Sequence, residues 1–89
     1  MDRDLTYSAH AFIRCQQRGI PSAAMELVLD EGDLVEPAGD HCERIRVSRM
    51  QANRLRERGI DRRMLERVRN VAVIYSRRTA QVVTVMHTH

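Results

Sequence analysis

Two apolar, β-branched runs near the C-terminus, Val71–Tyr75 and Gln81–Met86, constrain this fold most strongly. Their alternating, branched side chains suit a pleated, half-buried surface, and the polar link Ser76-Arg77-Arg78-Thr79 between them fits a hairpin turn. A hairpin alone is marginally stable in water, so this one must pair with more strands and be covered by helices. The rest of the chain has to supply both.

It does so in short pieces. Ser8 is placed to cap a helix that ends at Gly19, with Ala9, Phe12, Ile13 and Gln16 as its inner stripe. A second helix restarts at Pro21-Ser22 and stops at Gly32; its Met25, Leu27, Val28 and Leu29 cover a wide sector and predict burial. Leu34–Glu36 reads as a strand ended by the turn signal Pro37-Ala38-Gly39-Asp40. Glu43–Val47 alternates with period two and predicts its hairpin partner. Ser48 caps a third helix running to about Arg58, whose apolar face is only Met50, Ala52 and Leu55. Asp61 caps a fourth with the narrow stripe Met64, Leu65 and Val68. The order ααββααββ predicts an α+β single domain over residues 1–89, with helices packed on a small antiparallel sheet that ends in a C-terminal β-hairpin. Phe12, Ile13, Leu27, Val28, Leu65, Val73 and Val83 are expected to meet in its core.

At 89 residues the core is modest. No apolar run approaches the roughly 18 residues of a membrane span, and the start lacks the charged-then-apolar pattern of a signal peptide. We therefore expect a soluble, cytoplasmic protein with no membrane partner. Cys15 and Cys42 lack a CxxC spacing and read as ordinary thiols. The formal net charge is +3, and all 15 basic residues are arginines. A GC-rich genome produces that bias, and so does selection for planar, bidentate phosphate binding.

One stretch points to chemistry. On the first helix His10, Arg14 and Arg18 recur every four residues and so share a side. Metal-independent RNA cleavage needs a proton acceptor, a proton donor and cations on the phosphorane. His10 fits the first or second role, and Arg14 and Arg18 the third, gripping phosphate. The stripe lies where it can meet the terminal strand at the domain edge. The alternative is structural: the same residues pair with Glu26, Asp30 or Glu31 and pin the first helix to the second.

The run "YSAHAFIRCQQRGIP", followed by "LVLDEGD" and the late "VVTV", resembles a widespread bacterial family, the domain of unknown function 4258. The resemblance covers the first third and the last strand. It implies a fold similar to the RelE-like and barnase-like ribonuclease toxins, and it implies His10, Arg14, Arg18 and Thr84 as the site, with Arg14 and Arg18 on phosphate. The expected function is RNA phosphodiester binding extending to toxin-like, metal-independent cleavage. The alternative is a non-catalytic protein-interaction or dimerising module that uses the exposed edge of the C-terminal hairpin.

Other constellations carry less. His87-x-His89 puts two imidazoles on one strand face, but two ligands do not make a metal site, and no cofactor motif is present. Arg49, Arg54, Arg56, Arg58, Arg62, Arg63, Arg67 and Arg69 crowd the third and fourth helices and can track a nucleic-acid backbone. Glu57, Asp61 and Glu66 are interleaved with them, as on an ordinary solvated face. Gly59 gives the pair the outline of a helix-turn-helix, yet the fourth helix is short and carries a core stripe. With only Tyr7, Phe12 and Tyr75 as aromatics, base stacking is not expected.

Overall fold

In the computed structural model the chain is described over residues 9–88, the side chains of residues 9, 10 and 12 excepted. The expected Ser8 cap and the side chain of Phe12, expected in the core, therefore fall outside the described residues. Eight elements follow in the expected order: α1 Ala9–Arg18, α2 Ser22–Glu31, β1 Leu34–Pro37, β2 Cys42–Arg46, α3 Arg49–Glu57, α4 Arg62–Arg69, β3 Val71–Ser76 and β4 Gln81–His87. The fold is α+β, with a four-stranded antiparallel sheet in the order β1-β2-β3-β4.

Local chemistry explains the boundaries. Ser48 Oγ accepts from Gln51 N–H at 3.1 Å and Asp61 Oδ1 from Met64 N–H at 2.8 Å, so each side chain satisfies a first-turn donor of α3 or α4. α1 and α3 end in the same way. Gly19 and Gly59 take positive φ, at 66° and 102°. The next amide bonds back five residues: Ile20 N–H to Cys15 O at 2.9 Å and Ile60 N–H to Leu55 O at 3.1 Å. This is the Schellman arrangement, and only glycine adopts it without a Cβ penalty. Gly32 is required for space instead: a Cβ there would meet the Ile45 side chain and the Val28 carbonyl.

Strand pairing places Ile45 opposite Val73, and Val73 opposite Val85. These side chains meet Met25, Val28, Leu55, Leu65 and Val68 from the helices in one core. Within it Cys15 Sγ donates to Met25 Sδ at 3.6 Å, and burial pushes the thiol pKa up, so Cys15 is a packing residue. Val28, Leu65 and Val73 are buried as expected, and Leu27 is half-buried against the same cluster.

Four positions expected to face inward are exposed. Ile13 is 49% exposed, and Gln16 is exposed too. The inward positions of α1 are the small Ala11 and Cys15, four apart, which leaves Ile13 on the opposite side of the helix. Val83 is exposed because the β3–β4 register shifts between Ile74 and Tyr75. Ile74 pairs with Thr84 and Tyr75 with Val82, so Val83 is an extra residue and both Val82 and Val85 turn inward. Met50 points out of α3, at 63% exposed. Among the described residues no helix is long and apolar enough to cross a membrane.

Candidate nucleic-acid interface

The structure brings two of the expected site residues together. Arg18 closes α1, and α1 packs against β4. Its guanidinium donates to Thr84 Oγ1 at 3.0 Å and to the Val85 carbonyl at 2.7 Å. Among the described residues β4 is an end strand of the sheet, so the second bond occupies a carbonyl that no described strand uses. Arg18 is thus tied to the fold by at least two acceptors. Arg14, one turn earlier, is half-buried and has an interaction of its own. His10 belongs to the same helix, and its side chain lies outside the described residues.

Of the acids named as alternative partners, Glu31 is engaged elsewhere. Glu31 is held by Arg58, at 3.2 and 3.4 Å, and by Gln51 Nε2 at 3.2 Å. It therefore ties α2 to α3. Asp33 continues that seam: its carboxylate accepts the Ser48 hydroxyl at 2.6 Å and the Ser48 N–H at 2.8 Å. Chiefly through the hydroxyl bond, these contacts hold the Asp33 pKa below the ordinary carboxylate value. Asp33 thereby orients the residue that caps α3.

A denser group of arginines without acid partners among the described residues lies elsewhere. A groove between α3 and α4 is lined by Arg49, Asn53 and Arg56 from one helix and Arg62, Glu66 and Arg69 from the other, floored by Ala52 and Leu65. Both helices bury apolar residues against the core, Ala52 and Leu55 from α3, Leu65 and Val68 from α4, while Met50 of α3 stays exposed. Their arginines are left on the surface. Glu66 meets Arg62 at 3.8 Å. Arg49, Arg56 and Arg69 have no acid partner among the described residues. The interleaving of acids in the sequence thus neutralises less than it suggests: Asp61 is occupied as a cap and Glu66 serves one arginine.

A second depression flanks the other side of α4. Gly19, Ile20, Pro21, Arg63, Arg67, Asn70, Val71 and His87 line a cleft of about 330 Å³, and Glu66 reaches it as well. Spacing along α4 separates the two: 62, 66 and 69 face α3, while 63, 67 and 70 face the cleft. Sequence reasoning missed this cleft. The i, i+4, i+7 pattern of 63, 67 and 70 was visible, but the opposition of His87 depends on the β3–β4 register.

His41 lies in the β1–β2 turn with φ of 63°, and Cys42 opens β2. His89, the partner suggested for His87, lies outside the described residues. Among the described residues no three His, Cys, Asp or Glu side chains gather to hold a metal. In comparisons with known proteins, no family model matches the chain, and neither a curated protein nor a solved structure matches it at a significant level.

Proposed function

We propose that this protein binds RNA through the phosphodiester backbone, and that the grip lies in the α3–α4 groove. The observation that carries this reading is the four arginines on the groove walls, three of them without an acid partner among the described residues. Guanidiniums fit phosphate oxygens bidentately. A surface of arginines with few aromatics favours backbone contact over base reading. RNA rather than DNA is chosen on the family resemblance.

The finer part of the proposal is cleavage, with His10 as proton carrier and Arg14, Arg18 and Thr84 beside it. What supports it is the contact of Arg18 with Thr84 on the stripe that contains His10. Because Arg18 is bound to two protein acceptors, we assign it first to positioning and only through its remaining donors to phosphate.

Electrophoretic mobility shifts with a single-stranded oligoribonucleotide, at two salt concentrations, test the binding. Arg56→Gln/Arg69→Gln should weaken it at least tenfold, and duplex DNA should compete less well than RNA. Unchanged affinity in that double variant refutes the groove. Gel analysis of total RNA tests cleavage, which His10→Ala should abolish while binding persists.

One observation favours a second reading, the protein-interaction module, but at a different edge. β1 is exposed along its whole length, and Leu34, Val35 and Met50 are exposed apolar residues around it. A concentration-dependent dimer lost on Val35→Lys would favour that reading.

A further inference from the structure

We propose that the cleft between α4 and the end of β4 binds a terminal phosphate group, that of a mononucleotide or of a phosphorylated RNA end. The site is separate from the groove and does not rest on the groove reading.

Three donors converge there: Arg63 and Arg67, one turn apart on α4, and His87 opposite them. Neither arginine has an acid partner among the described residues. The acid that reaches the cleft, Glu66, is drawn towards Arg62 on the groove side. His87 is held in place by the backbone. It pairs with Val71 across the sheet, and the next residue, Thr88, donates its N–H to the Asn70 carbonyl at 2.9 Å. That bond fastens the end of β4 to the end of α4, so the backbones that carry the imidazole and the guanidiniums share a fixed frame.

The carbonyl end of a helix repels anions. Here Asn70 answers that objection. Its side-chain Nδ2 donates to Glu66 O at 2.9 Å and its N–H to Arg67 O at 3.1 Å, so last-turn carbonyls are already satisfied. A terminal phosphate carries up to two charges and three free oxygens, against one charge and two free oxygens for a diester. Two forked cations and an imidazole within one cleft match the former. The groove arginines, spread over two helices, match the latter. The volume lies in the range of small-ligand sites, and Ile20, Pro21 and Val71 provide an apolar wall for the rest of a nucleotide.

The test is NMR titration of the full chain with adenosine 5′-monophosphate and, separately, with adenosine. The Arg63 and Arg67 side-chain Nε–H and the His87 ring resonances should shift with the nucleotide and stay unmoved by the nucleoside. Arg63→Gln/Arg67→Gln should weaken nucleotide binding at least tenfold and His87→Gln severalfold, with native spectra elsewhere. Arg56→Gln/Arg69→Gln should leave it unchanged. A 5′-phosphorylated oligoribonucleotide that shifts these resonances where its 5′-hydroxyl counterpart does not identifies an RNA end as the source; a response to the mononucleotide alone identifies the free nucleotide. No shift with any phosphorylated probe at millimolar concentration overturns the proposal. So does equal weakening by the groove variant, which would reduce the cleft to general positive charge.

Discussion

α1 and α4 are short helices, each with arginines four residues apart, yet the fold uses them in opposite ways. On α1, Arg18 is bonded to Thr84 and to the Val85 carbonyl, and Arg14 is half-buried and engaged. On α4, Arg63, Arg67 and Arg69 are exposed and have no acid partner among the described residues. The cause is what stands next to each helix. α1 lies along the sheet, within reach of strand carbonyls and a hydroxyl. α4 packs on α2 and α3, where Glu31 is already engaged with Arg58 and Gln51. Spacing creates a stripe of cations, and tertiary neighbours decide whether it is an anchor or a docking surface.

The contrast can be broken most severely by removing the packing that sets α3 against α4. Leu55 is fully buried, and Leu55→Ala should cost about 2–5 kcal/mol in urea melts and blunt RNA binding as the groove loses its shape. Ile13→Ala, on the exposed side of α1, should fall within about 0.5 kcal/mol of wild type. If the two melts agreed, the assignment of inner and outer faces would be wrong.

Charge removal comes next. Arg56→Gln/Arg69→Gln deletes two phosphate contacts, so the slope of log K against log salt should fall by about 1.4 for single-stranded RNA. Arg77→Gln, at the β3–β4 turn and paired with Glu43, should leave that slope unchanged. A similar drop in both would reduce the groove to general positive charge.

Stability should show the reverse pattern. Arg18→Ala removes charge-assisted bonds to a partly buried carbonyl and to Thr84, and should cost about 1–2 kcal/mol. Arg67→Ala should cost less than about 0.5 kcal/mol. Thermal melts of the two variants would separate anchor from surface.

The smallest effect concerns pH. Asp33 has a lowered folded-state pKa, so its contribution to stability is full above the ordinary carboxylate pKa of about 3.9. It is lost as pH falls through the lower folded value. Asp33→Asn should therefore melt below wild type at pH 7, with the gap closing towards pH 3. A gap of constant size would mean that the Ser48 contacts do not depend on the charge.

How far the sequence revealed these features follows from where each is determined. The hairpins, the Ser48 and Asp61 caps and the Gly19 and Gly59 stops depend on neighbours within a few residues, and local chemistry sufficed. The approach of Arg18 to Thr84 was also legible, since it required only that the α1 stripe meet the last strand. What escaped was the rotation of α1 about its axis. Ile13 is bulky, yet the smaller Ala11 and Cys15 face inward, because small side chains permit a close approach that hydrophobicity does not report. The bulge at Val83 escaped for a related reason: one extra residue inverts the alternation on which a strand reading depends. The cleft opposite His87 required both the register and the course of α4.

The Arg18 bond to the Val85 carbonyl also bears on growth of the sheet. Sheets with two free margins can add neighbours indefinitely, and so form fibres. Here, among the described residues, one margin is β1 and open, while a strand approaching β4 meets α1 and a carbonyl already taken. Among the described residues β1 is therefore the more accessible margin. Two copies joined through β1 by a two-fold axis would satisfy each other and present no further margin, so association by this route would end at a pair rather than a filament.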